Sequence, residues 1–73
     1  MPMATATLKV SGMSCQHCVR SVTSALQSVE GVERAEVDLS KGRATVEYDA
    51  GLTNPRALAN AVMDEGYVAE EVA

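Results

Sequence analysis

The sequence predicts an α+β fold of the ferredoxin-like type: element order βαββαβ, a four-stranded antiparallel sheet, and two helices on one of its faces. Three observations predict it. Apolar residues alternate with a period of two in three stretches. The period lengthens to that of an amphipathic helix in two others. The stretches follow one another as strand, helix, strand, twice over, in a chain of 73 residues that has room for one domain. Residues 1–73 are therefore expected to form a single domain.

The first strand is read at residues 4–10, where Ala4, Ala6, Leu8 and Val10 alternate with Thr5, Thr7 and Lys9. Ser11-Gly12-Met13-Ser14 breaks the alternation as a loop. A helix follows from about Gln16 to Ser28, with Val19, Val22, Leu26 and Val29 on one stripe. Ser14 is the expected N-cap and Gly31 the expected stop. Alternation returns over 32–39, with Ala35, Val37 and Leu39 on one side and Glu36 and Asp38 on the other. Ser40-Lys41-Gly42 is a turn short enough to make a hairpin with the strand Arg43 to Tyr48, whose Ala44, Val46 and Tyr48 face inward. Asn54-Pro55 supplies a cap followed by proline at the first helical position. The second helix carries Leu58, Ala61, Val62 and Glu65 at helical spacing and closes at Gly66. Residues 67–72 form an edge strand whose face stays open, because Val68, Glu70 and Val72 mix types.

Composition narrows the function. Apolar residues make up 47% of the chain, which opposes disorder, but there is no Trp or Phe and the core must be built from small aliphatic pieces. A domain this small buries only ~60% of the surface of its unfolded chain. The net charge of -4, with six Lys and Arg in all, gives no basic face for nucleic acid or for an anionic membrane. No apolar run approaches the ~20 residues that span a bilayer, and Met1-Pro2-Met3-Ala4-Thr5 is not a signal peptide. The expected location is the cytoplasm, where a close cysteine pair is metal-binding or catalytic more often than a structural disulfide.

The chemistry concentrates in Gly12-Met13-Ser14-Cys15-Gln16-His17-Cys18. Cys15 falls in the loop and Cys18 in the first helical turn, so both sulfurs can point to one place. The helix N-terminus, with its unpaired N–H groups, favours thiolate over thiol. Soft thiolates select soft metals, Cu(I) among them. The cysteine count then separates the metals. Structural zinc usually takes four Cys or His ligands, and this chain offers Cys15, Cys18 and at most His17. Cu(I) accepts two sulfurs in a roughly linear arrangement, and an open site suits a metal that is handed on.

This segment resembles the GMxCxxC signature of heavy-metal-associated domains. His17 beside Cys18, and Gly66-Tyr67 near the end, resemble bacterial copper chaperones of the CopZ type. The resemblance covers essentially the whole chain in length and element order. It implies Cu(I) held by Cys15 and Cys18 and passed to a copper-transporting P-type ATPase. It also implies that Met13 packs under the metal loop without ligating and that Tyr67 shields the metal. Zinc, cadmium and lead members often carry an acidic residue just before the first cysteine. Ser14 stands there here, which favours copper.

Other readings stand beside these. The dithiol could be redox-active, but thioredoxin-type proteins are longer and surround the motif with aromatics. His17 is either an auxiliary or dimer-bridging ligand or an exposed residue tuning exchange. The exposed reading is preferred, since a side chain between two ligating cysteines points away from the metal. Met13 is expected in the core and Tyr67 either at the core edge or over the metal. Met1 and Met3 are read as a tail, and Met63 lies off the second helix's stripe. Lys9 and Arg20 are read as solvated charges, Arg20 with a further option of meeting a partner. Glu30, Glu33, Glu36 and Asp38 are read as a solvated face. The expected function is thus a non-enzymatic Cu(I) chaperone, with a copper-bridged homodimer left open. The alternatives are an N-terminal metal-binding domain of a copper ATPase, which the start at Met1 mildly opposes, a small dithiol redox protein, and a metallosensor, which the acidic charge opposes.

Overall fold

A computed structural model describes residues 3–72. Strand β1 spans Met3–Ser11, helix α1 Gln16–Gln27, β2 Val32–Asp38, β3 Arg43–Asp49, helix α2 Pro55–Met63 and β4 Val68–Glu71. The strands form one sheet in the order β2-β3-β1-β4, every neighbouring pair antiparallel. This is the ferredoxin-like arrangement.

Register explains which residues go inside. Ala6 sits opposite Val46 and Leu8 opposite Ala44 in the β1–β3 ladder, so one sheet face carries an unbroken apolar patch. Ala6, Leu8, Val10, Ala44, Val46 and Tyr48 are all buried there. The residues between them, such as Thr5, Lys9, Thr45 and Glu47, are exposed on the other face. Val22 and Leu26 from α1 and Leu58, Ala59 and Val62 from α2 complete the core. Both helices therefore cover the same face.

Several expectations need correcting. Met3, read as tail, begins β1 opposite Asp49, while Met1 lies outside the described residues. Helix α1 ends at Gln27, one residue short of the expected Ser28. Ser28 caps it with its backbone N–H bonded to Ser24 O at 3.0 Å, and Gly31 occupies the following turn at φ +98°. Helix α2 stops at Met63, so Glu65 lies beyond it and exposed; the fully apolar stripe runs through Ala59 instead. Gly66, at φ +97°, turns the chain toward β4, where its N–H bonds Met63 O at 2.9 Å. The face of β4 is now defined: Ala69 is buried, and Val68, on the opposite face, is 64% exposed. The capping of α2 is as expected, with Asn54 Oδ1 accepting from Ala57 N–H at 2.9 Å.

Candidate metal centre

The loop between β1 and α1 leaves the sheet through Gly12, at φ +99°, a conformation that only glycine adopts without strain. A Cβ added at Gly12 would stand 3.5 Å from Tyr67 Cδ1, so the Tyr67 ring lies directly against this loop. Met13 and Tyr67 are both half-buried and packed on the edge of the core. The loop is thus held from below by a thioether and from the side by an aromatic ring.

Cys15, not Ser14, occupies the N-cap of α1. Its backbone is extended (φ -159°, ψ 175°), and no side chain caps the helix. Its carbonyl accepts from Cys18 N–H at 3.1 Å and Val19 N–H at 3.3 Å, which starts the helix. The uncapped first turn leaves backbone donors and the positive dipole end facing the thiols. Cys15 is exposed, Cys18 half-buried, and neither forms a disulfide. Their sulfurs stand 3.9 Å apart. Two metal–thiolate bonds of about 2.3 Å span that distance at a bent angle, and a linear site would need the sulfurs roughly 4.6 Å apart.

Ser14 has a different task from the capping expected of it. Its hydroxyl lies 3.9 Å from Cys18 Sγ, and its backbone N–H is directed at the same sulfur. That N–H and, next, the Tyr67 hydroxyl draw the Cys18 thiol from an ordinary value of 9.0 down to about 6, against a smaller upward push from desolvation. Tyr67 and Cys18 make no short, well-aligned hydrogen bond among the described residues, so the phenol acts as a neighbouring dipole. The same proximity raises the Tyr67 phenol, chiefly because the Cys18 sulfur stands beside its hydroxyl. Sequence reasoning missed Ser14 as a partner of Cys18. The four-residue separation across a loop and a helical turn was the available signal.

His17 is exposed, and no three His, Cys, Asp or Glu side chains converge among the described residues. The structure thus brings Cys15, Cys18, Met13 and Tyr67 together and leaves His17 on the outside. Residues 7–67 match the heavy-metal-associated domain. The chain belongs to this family.

As a heavy-metal-associated domain it has relatives of stated kinds. The copper chaperone CopZ of Bacillus subtilis (strain 168) is 41% identical over 61 residues, covering 84% of this chain and 88% of the relative. The copper-binding domain of HMA7, a P-type ATPase, superposes with a TM-score of 0.93 at 36% identity, covering 94% of this chain and 93% of that one. Oxidized MerP of Ralstonia metallidurans CH34 superposes with a TM-score of 0.93 at 34% identity, covering 97% and 99%. No helix among the described residues of this domain is long and apolar enough to cross a membrane.

Proposed function

We propose that this heavy-metal-associated domain is a cytoplasmic copper(I) chaperone, with Cys15 and Cys18 as the two ligands of its cargo. The observation that carries the reading is a pair of sulfurs 3.9 Å apart at an uncapped helix N-terminus, with no third Cys, His or carboxylate ligand beside them among the described residues. Such a set is too small for a closed zinc site and sufficient for a soft monovalent ion. The likeness to the chaperone CopZ of Bacillus subtilis supports the same cargo and role.

Transfer follows as ligand exchange. A thiolate of the recipient adds to the exposed metal, giving three sulfurs around it. Cys15, at the exposed end of the loop, leaves first and takes up a proton or a new partner. Cys18, fixed in α1 and held as thiolate by Ser14, leaves last. Met13 supports the loop, Tyr67 covers one side of the sulfur pair, and His17 remains outside. The proposed recipient is the metal-binding domain of a copper-transporting P-type ATPase, and the open sulfur pair leaves room for a copper-bridged homodimer. A second reading, that the domain is itself part of such an ATPase, is favoured by its superposition on the HMA7 domain.

The test is anaerobic metal competition with reduced protein. One Cu(I) per chain retained against a Cu(I)-selective chelator, with Zn(II) and Hg(II) measured beside it, is the expected result. Cys15→Ser and Cys18→Ser each abolish tight retention. Stronger retention of Zn(II) than of Cu(I), or full Cu(I) retention by the double variant, overturns the reading.

A further inference from the structure

Among the described residues, the outer strands β2 and β4 each have a strand neighbour on one side only. Strand β4 offers a short edge with two adjacent carboxylates, Glu70 and Glu71, and no cation. Strand β2 is different, because its sequence sets Arg34 and Glu36 symmetrically about Ala35. Register places both charges on the sheet face without helices, Arg34 opposite Glu47 and Glu36 opposite Thr45. Their side chains are 68% and 66% exposed, and they meet at 3.1 Å along the strand, a surface pair of small worth. Ala35 and Val37 point to the helix side and pack on the core. They stay half-buried because only β3 borders β2.

We infer that β2 is a self-association edge: two copies of this chain pair antiparallel through β2, about a twofold axis at Ala35, and join their sheets into one. Pairing about that axis sets each Arg34 directly opposite the partner's Glu36, so the ion pair is made twice. On the other face Ala35 meets its own copy, and a second strand extends the cover over the half-buried Val37. Charged side chains guard an edge against indiscriminate pairing. Here one register satisfies them. Sliding by two residues brings Arg34 or Glu36 against its own copy, and sliding by one turns the apolar side outward. The shift of register between Val32 and Arg34 keeps the paired segment short. Its area falls below the roughly 1,200 Å² of a stable complex, so the dimer is a weak one that forms at high protein concentration. Strand β2 runs toward the hairpin whose Gly42 O accepts from Val10 N–H at 2.7 Å, at the metal-loop end of the sheet. Antiparallel pairing therefore carries the two metal loops to opposite ends and leaves both open. The thiols take no part, which separates this dimer from a copper-bridged one.

The test follows metal-free, reduced protein by sedimentation equilibrium up to millimolar concentration. Wild type should dimerise weakly. Arg34→Glu and Glu36→Arg should each weaken that association about tenfold, the scale of two cross-strand pairs turned from attraction to repulsion. Both side chains are exposed, so neither substitution disturbs the core. An equimolar mixture of the two variants should associate again, since every cation then faces an anion across the edge. Both variants remain net negative, so overall charge does not draw them together. In NMR spectra of the wild type, amide signals of β2 should move with concentration while those of β4 stay in place. A wild type that stays monomeric throughout overturns the proposal. So does a mixture that associates no better than either variant alone, or concentration-dependent shifts at the metal loop in place of β2. Failure of the wild type to hold Cu(I) would sink the carrier reading and leave the metal-free dimer untouched.

Discussion

At Cys18 the thiol is held near an acidity of about 6 by a backbone N–H of Ser14 and by the Tyr67 hydroxyl, so at neutral pH it is already ionised. A metal arriving there displaces little proton, whereas an ordinary thiol would have to release one. The lowered value also ties the apo protein's stability to pH. In the unfolded chain the thiol ionises near its ordinary 9.0, in the folded one near 6. The contribution is therefore complete above about pH 9 and is lost as pH falls through 6. Reduced, metal-free wild type should gain thermal stability relative to Cys18→Ser on going from pH 6 to pH 9. A constant difference between the two melting curves across that range would count against the ionised thiol. Tyr67→Phe should move the Cys18 titration upward, read by pH-dependent alkylation in a Cys15→Ser background.

Between the elements, two left-handed glycines allow a controlled comparison. Gly31 and Gly66 have nearly the same φ, at +98° and +97°. A Cβ at Gly66 meets nothing within 4 Å, whereas one at Gly31 would stand 2.8 Å from Leu52 Cβ. Alanine at either position carries the left-handed cost of about 1–2 kcal/mol. At Gly31 the α1–β2 turn must also separate from the β3–α2 loop, adding about 1–3 kcal/mol as overpacking does. Gly31→Ala should therefore melt well below Gly66→Ala, and equal melting temperatures would refute the close approach. Asn54→Ala should cost about 1 kcal/mol by removing the only side-chain cap seen on a helix among the described residues, measured by urea unfolding.

These same elements show what could be read in the chain. The order βαββαβ was legible because period-two and helical spacing do not overlap in Ala4 to Val10, Val19 to Leu26 or Ala44 to Tyr48. The spacing of Cys15 and Cys18, together with their place after the first strand, marked the pair, and the fold puts their sulfurs 3.9 Å apart. Ser14 was misread because a hydroxyl before a helix usually caps it. Here the cap position falls one residue later, on Cys15, and the hydroxyl turns to Cys18. Ala59 escaped because a small residue adds little to a periodic pattern, although the packing of α2 buries it.

For the whole molecule the thin core decides how far cargo can stabilise the fold. The largest fully buried side chains are Leu8, Leu26, Leu58, Val22, Val46 and Val62, with no aromatic among them. Cavity formation at Leu8, Leu26 or Leu58 on mutation to alanine should cost about 2–5 kcal/mol, a large part of the stability of a domain this size. Cu(I) bound only to the native state would offset such a loss by an amount that grows with its affinity and concentration. The two proposed ligands, Cys15 and Cys18, however, are three residues apart in sequence, and an unfolded chain can still close both thiols on one ion. Loading should therefore stabilise the protein by less than its affinity alone implies. What remains is the part that folding adds: the helix N-terminus, the Ser14 N–H and the Tyr67 hydroxyl. The expected outcome is a rise in Tm of about 4–8 °C on loading, equivalent to about 1 kcal/mol in a domain this small. Tyr67→Phe should reduce that rise and Cys15→Ser should remove it. A rise of several tens of degrees would show that the unfolded chain does not compete for the ion, and that the native site holds it by more than the local turn.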